Sequence, residues 1–244
     1  RSLVGSEMCI RDRIQTVITF AAFVILFMAP GNDVRVASEI ATWMPGYKEL
    51  SVGNHLFMTI QWMLSSFANE GKAFFIAIWA AGFLLLVKSK KAKVYQSLAV
   101  VFSVVALLPY AGISFFSEMG IGYIDIEQCL TELPTWQTMT TQNRIAFFWW
   151  IAAVLFTLVL LWKVTGHSVF ISMVFLGGIA SEAVLHFSPT IYASGARVYY
   201  LTDLLYLFII LTLAFSLKKK RWRNGFYVGL LVAGVWNLVW QVLF

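Results

Sequence analysis

Charged residues are scarce in this chain. Aspartate, glutamate, lysine and arginine make up 12% of the 244 residues, whereas an average soluble domain carries about 25%. Hydrophobic residues make up 60%, and the mean hydropathy is +0.78. Such a chain cannot cover its whole surface with polar groups, so part of its solvent must be lipid. The composition therefore predicts an integral membrane protein.

The common motifs of soluble enzymes are missing. No HExxH, GxGxxG, Walker or GxSxG motif occurs, and the three histidines are far apart in the sequence. There are two cysteines, Cys9 and Cys129, and Cys9 lies in a segment that we expect to be non-native. Cys129 alone cannot form an intrachain disulfide or a thiolate metal cluster. We identify no metal ligands and no cofactor, although a divalent cation is compatible with the sequence.

The first residues of the chain resemble a translated sequencing adapter. Residues 8–12 (MCIRD) back-translate to the transposon end used in sequencing libraries, and residues 3–7 continue the adapter upstream in the same frame. We therefore expect residues 1–13 to be an artefact and residues 14–244 to form one membrane domain that lacks its true N-terminus. The alternative is a short basic N-terminal arm.

Apolar segments long enough to span a membrane, which takes about 20 residues, recur along the chain. We predict seven spans, near residues 14–29, 73–88, 95–117, 144–164, 168–187, 198–217 and 225–244. A shorter apolar stretch at residues 55–67 contains Gln61 and Ser66, and we predict it to be interfacial or re-entrant. The predicted fold class is all-α, a polytopic transmembrane helical bundle.

A further amphipathic helix is predicted ahead of that stretch. Val36, Ile40, Trp43 and Met44 recur at helical spacing, and Pro45 ends the pattern. We expect this helix to lie on the membrane surface.

The distribution of charge predicts the orientation. The basic clusters at residues 88–93 and 218–223 adjoin apolar runs and are expected in the cytoplasm, whereas residues 118–143 carry four acids and no lysine or arginine. The basic clusters therefore predict the cytoplasmic side of a membrane, with membrane lipids rather than nucleic acid as partners. Residues 30–54 are expected outside, provided that the 55–67 stretch does not span.

Ionisable residues at the outer ends of two predicted spans are candidate functional groups, because a charge in a membrane is costly. Glu182 and His186 lie near the end of the sixth span, and Arg197 and Asp203 lie near the start of the seventh. We predict a polar pocket in which Arg197, with Arg35, binds phosphate. Glu182 and His186 would orient the substrate or carry protons. Alternatively, Glu182 and Arg197 only pair with each other, and His186 reaches the headgroups.

Two short motifs resemble a family of uncharacterised bacterial polytopic membrane proteins. They are PGNDVR at residues 30–35, after one span, and SPTIYASGAR at residues 188–197, before another. That family is similar in layout to the C-type, polyprenyl-phosphate-dependent glycosyltransferases. The matching positions are Pro30, Gly31, Asn32, Arg35, Ser188, Pro189 and Arg197.

The resemblance implies a transferase that takes a sugar from a polyprenyl-phosphate donor at the outer face. Asn32 and Asp33 join the predicted substrate-binding residues, although either can instead cap the helix that follows. The resemblance places the catalytic acid in the loop after the first span, which we expect upstream of Ile14. Glu182 and Asp203 are the candidates within this chain.

Two other function classes stay open. A transporter or flippase also carries acids and histidines within its membrane helices, but we find no repeat and no matching pair of broken helices. In a non-catalytic membrane scaffold, the same polar residues would serve helix packing alone.

Overall fold

In the computed structural model, the described residues form helices and the short segments between them, with no strand, and the all-α prediction is confirmed. Those residues are 17–18, 20–21, 24–25, 28, 32–87, 92–107, 136–137, 141–165, 168–185 and 199–243. The α-helices are α1 (Asn32–Trp43), α2 (Val52–Ser66), α3 (Lys72–Leu86), α4 (Lys93–Leu107), α5 (Thr141–Val164), α6 (Ser168–Leu185), α7 (Tyr200–Ser216) and α8 (Lys220–Leu243). A 3-10 turn (Pro45–Glu49) follows α1, and a π-helical segment (Phe67–Gly71) lies between α2 and α3.

Six of the predicted spans overlap helices α3 to α8, although residues 108–117 of the predicted span 95–117 lie outside the described residues, as does most of the seventh span at residues 14–29. Within α5, residues Arg144–Val164 form the one described helix that is long and apolar enough to cross a membrane, with a hydropathy of 2.4. The other apolar helices of the described chain are shorter: Lys72–Leu86, Lys93–Leu107, Val169–Val184 and Tyr200–Ser216. The seven-span arrangement stays a prediction.

The amphipathic pattern before Pro45 forms helix α1, as predicted. Of the four residues in the stripe, Ile40 and Met44 are buried and Val36 is exposed. The helix ends at Trp43 because proline has no backbone N–H to continue it. Helix α1 therefore presents a narrow apolar contact and a broad exposed face.

The stretch at residues 55–67 is helical and largely forms helix α2; its predicted interfacial or re-entrant position stays a prediction. Helix α2 begins after Ser51, whose hydroxyl accepts a hydrogen bond from the Asn54 N–H, and its backbone continues through the π-helical segment into α3. The segment FANEG is polar but contains no proline, so the helix widens without breaking. The result is one continuous helical segment from Val52 to Leu86, α-helical except at the π-helical segment and about 50 Å long at the rise of an α-helix.

Helix α3 is central, because it packs against α4, α5, α7 and α8. Its side chains Phe75 and Trp79 are fully buried, and the Trp79 indole N–H donates a 2.8 Å hydrogen bond to the Thr157 hydroxyl on α5. Gly82 allows close approach, since a Cβ there would lie 2.7 Å from a methyl carbon of Leu160. Aromatic rings from several helices, among them Phe67, Trp150 and Phe175, belong to the same buried core.

Candidate functional site

A cluster of polar side chains lies where α6 and α7 meet the end of α2. It consists of Ser66, Gly178, Ser181, Glu182, Thr202 and Tyr206, with Asp203 at its edge, and is called the polar cluster below. Helices α6 and α7 are neighbours throughout, and α2 contacts α6. Most of the cluster is buried among apolar residues, where each polar group needs a partner.

The central contact joins Ser66 to Glu182. The Ser66 hydroxyl lies 2.7 Å from Glu182 Oε2, and the Glu182 side chain is 3% exposed. Ser66 is the last residue of α2, directly before the π-helical segment. Such interruptions of an α-helix frequently occur at functional sites.

The Ser66 hydroxyl can serve either protonation state of Glu182. It also lies 2.8 Å from the Met63 carbonyl oxygen, but it carries a single proton. When Glu182 is ionised, Ser66 donates that proton to the carboxylate in a charge-assisted hydrogen bond. When Glu182 is protonated, the carboxyl donates to Ser66, and Ser66 donates to Met63. The pair can therefore gain or lose a proton without leaving either group unbonded.

The second part of the cluster holds α6 against α7. The Thr202 hydroxyl donates to the Gly178 carbonyl oxygen at 3.2 Å and lies 2.9 Å from the Ser181 hydroxyl, which itself donates to Gly178 at 2.8 Å. These short side chains let the two helices approach closely. A Cβ on Gly178 would lie 2.8 Å from Cε1 of Tyr206, so only glycine leaves room for the ring.

Tyr206 carries an unusual hydroxyl. Its side chain is 1% exposed, and its ring stacks on Phe175 at 5.4 Å and meets Phe75 edge-on at 5.8 Å. Among the described residues, the hydroxyl has no hydrogen-bond partner. The Tyr206 ring lies against Gly178, one turn before Glu182 on α6, and Asp203 precedes Tyr206 by one turn on α7. A buried polar group without a partner is costly, so it calls for an explanation.

Asp203 lies in the first turn of α7 and is only partly buried. The N-terminus of a helix favours a negative charge, so a structural role is available for this residue. It is three residues from Tyr206, on the same side of α7. The structure therefore brings both candidate acids, Glu182 and Asp203, to the polar cluster.

Three of the predicted substrate-binding residues lie before α2, on helix α1. Asn32 begins α1, and Asp33 lies in its exposed first turn. The Arg35 side chain is 79% exposed and forms an ion pair of 3.9 Å with Glu39 one turn later. Exposed pairs of this kind contribute little to stability, typically about 1 kcal/mol or less, so Arg35 is available to a ligand.

His186 and Arg197 lie outside the described residues, as do Pro30, Gly31, Ser188 and Pro189 of the two motifs. The predicted pairing of Glu182 with Arg197 is therefore not addressed by the structure. In the described part of the chain, no three His, Cys, Asp or Glu side chains form a group that could hold a metal ion.

Sequence reasoning missed five members of the site: Ser66, Gly178, Ser181, Thr202 and Tyr206. A signal existed for Tyr206, because Thr202 and Asp203 precede it by four and three residues on the same helix face. No local signal marks Ser66 as the partner of a residue 116 positions later. No family model, no curated protein and no solved structure matches the chain.

Proposed function

We propose that this chain is a polytopic protein of a bacterial cytoplasmic membrane that transfers a sugar from a polyprenyl-phosphate donor at the outer face. Glu182 is the proton acceptor in this proposal. The observation that carries it is the buried Glu182 carboxylate, bonded to Ser66 between apolar helices. An acid kept in such surroundings is costly, and it is by default a functional group.

The helix ends support placing the polar cluster at the outer face. Basic residues 88–93 follow α3, Lys163 lies in the last turn of α5, and residues 218–223 follow α7. If these ends face the cytoplasm, the opposite ends of the helices face outward. Ser66, Glu182 and Asp203 all belong to those opposite ends.

The continuous helix supports an outer position for α1 as well. If the continuous helical segment from Val52 to Leu86 crosses the membrane once, Val52 and Leu86 lie on opposite sides. With Leu86 at the cytoplasmic side, α1 and Arg35 lie outside. Arg35 and Arg197 would then share one face, where guanidinium groups can bind the phosphate of the donor.

In the proposed transfer reaction, the polar cluster accepts one proton. The acceptor hydroxyl oxygen bonds to the anomeric carbon of the sugar, and the bond from that carbon to the phosphate oxygen breaks. Polyprenyl phosphate leaves with the bonding electrons, while the hydroxyl proton passes to Glu182. Ser66 can then donate to Met63, so the protonated carboxyl keeps a hydrogen-bond partner.

Release of polyprenyl phosphate from a labelled polyprenyl-phosphate sugar tests the proposal in membrane vesicles containing the full chain. Glu182→Gln should lower the rate about 100-fold or more, the loss typical of a missing general base. The matched control is Glu49→Gln in the exposed end of the 3-10 turn, which should retain the rate. Equal rates for wild type and Glu182→Gln would remove Glu182 from the chemistry, and no release by the wild type would remove the function.

A proton-coupled transporter is the second candidate, because the Ser66–Glu182 pair can hold or release a proton inside the helix bundle. If the protein is a transporter, vesicles that contain it should take up an intact lipid-linked or free sugar. The uptake should be driven by a pH gradient, and it should be lost in Glu182→Gln. Uptake without release of polyprenyl phosphate favours transport over transfer.

A further inference from the structure

The Tyr206 hydroxyl and the Glu182 carboxylate are neighbours that do not bond to each other. Gly178 and Glu182 lie one turn apart on α6, and the Tyr206 ring crosses that face in contact with the Gly178 position. Glu182 and Tyr206 are both buried at this contact between α6 and α7. The hydroxyl nevertheless has no hydrogen-bond partner in the described parts of the chain.

The position of the Tyr206 hydroxyl is set by its ring. Phe175 stacks on one side, Phe75 and Phe74 lie edge-on, and the α6 backbone closes the gap at Gly178. A ring confined in this way cannot turn its hydroxyl toward solvent. The unpaired donor is therefore fixed in place before any ligand arrives, which is the arrangement of a preorganised binding group.

The Tyr206 hydroxyl and the Glu182 carboxylate determine which kind of ligand group can bind to both of them. An ionised carboxylate only accepts hydrogen bonds, so the ligand must donate to Glu182. The phenol hydroxyl can donate, so the same ligand atom must accept from Tyr206. A hydroxyl group is both donor and acceptor, whereas a phosphate oxygen at neutral pH would be repelled by the carboxylate.

We infer that Tyr206 and Glu182 form a subsite for an alcohol hydroxyl of a sugar, with Tyr206 donating to that oxygen and Glu182 accepting its proton. The subsite rests on the proposed function, in which this hydroxyl is the acceptor. It adds Tyr206 as a binding residue and names an uncharged polyol as the ligand class.

Binding of methyl β-D-glucopyranoside to the purified full chain in lipid nanodiscs tests the subsite by calorimetric titration. Tyr206→Phe should weaken binding about tenfold, the effect of one lost hydrogen bond. The matched control Tyr227→Phe, on α8 beside Phe215, should bind as wild type. The per-O-methylated sugar accepts hydrogen bonds but cannot donate them, and it should not bind.

Thermal unfolding without sugar supplies the second measurement. If the Tyr206 hydroxyl is unpaired in the free protein, Tyr206→Phe should leave the melting temperature unchanged or raise it. A lower melting temperature would show that the hydroxyl is already bonded, for example to a structural water, and would overturn the inference. Wild-type affinity in Tyr206→Phe, or no binding by the wild type, would also overturn it.

The inference and the proposed function can fail separately. Sugar binding that depends on Tyr206, without any release of polyprenyl phosphate, keeps the subsite and rejects the transferase. Release of polyprenyl phosphate at the same rate and the same acceptor KM in Tyr206→Phe keeps the transferase and rejects the subsite.

Discussion

The Ser66 hydroxyl donates a 2.7 Å hydrogen bond to the Glu182 carboxylate, across 116 positions of the chain. The bond ties the end of α2 to α6 at the point where the long helix changes from α to π geometry. The bond joins two segments that are far apart in the sequence, and it also gives the buried Glu182 carboxylate a hydrogen-bond donor.

Removing the Ser66 hydroxyl should destabilise the fold. Ser66→Ala leaves the buried carboxylate without this donor, and the expected loss is about 1–3 kcal/mol. Chemical denaturation in detergent micelles measures it. Ser216→Ala is the control, because the exposed Ser216 hydroxyl bonds only to Thr212 in its own helix. Equal losses in the two variants would contradict a special role for the Ser66–Glu182 bond.

The contact between α6 and α7 should depend on Gly178. In Gly178→Ala the new methyl group would lie 2.8 Å from the confined Tyr206 ring, so we expect a loss of about 1–3 kcal/mol. Gly229→Ala on α8 is the matched control, since no atom lies within 4 Å of its Cβ position. Thermal unfolding of both variants decides the prediction, and a Gly178→Ala protein as stable as wild type would refute the close approach.

The hydrogen bond between Trp79 and Thr157 should show energetic coupling. Thr157→Val leaves the indole N–H without its acceptor in the core, at an expected cost of about 1–3 kcal/mol. In a Trp79→Phe background that donor is absent, so the same substitution should cost less. A double-mutant cycle of unfolding free energies measures the difference. Additive losses would show that the bond contributes nothing specific.

Arg35 and Arg197 should face the same side of the membrane. Single cysteines at Val36 and Ala196, in a chain with Cys9 and Cys129 replaced by serine, should both react with a membrane-impermeant thiol reagent added outside whole cells. A cysteine at Lys219 should react only after the cells are opened. Labelling of Val36 and Ala196 from opposite sides would exclude a shared phosphate site.

Most of the described helices follow from local sequence. The apolar runs at residues 144–164 and 168–187 correspond to α5 and α6 within a few residues, because a continuous apolar run favours a helix wherever it is buried. Residues 68–71 of the segment FANEG were not assigned to any predicted helix, and in the structure the segment joins α2 to α3 without a break in the backbone. Polarity alone does not end a helix, whereas proline does at residue 45.

The candidate site was predictable only in its charged members. Glu182 and Asp203 are visible in the sequence because acids are rare in apolar segments. Tyr206 resembles any aromatic residue of a membrane helix until its ring is found against Gly178 with an unpaired hydroxyl. Ser66 is recognised as part of the site only from its hydrogen bond to Glu182 in the structure.

Composition and the spacing of apolar residues by themselves determined the helical class, the approximate helix positions and the scarcity of acids that marks Glu182. These properties depend on each residue and its near neighbours along the chain. Tertiary structure alone decided that α2 and α3 form one helix whose end reaches α6, and that Tyr206 lies beside Glu182. Such contacts depend on how separate helices pack, and helix packing is set by the shapes of many side chains together.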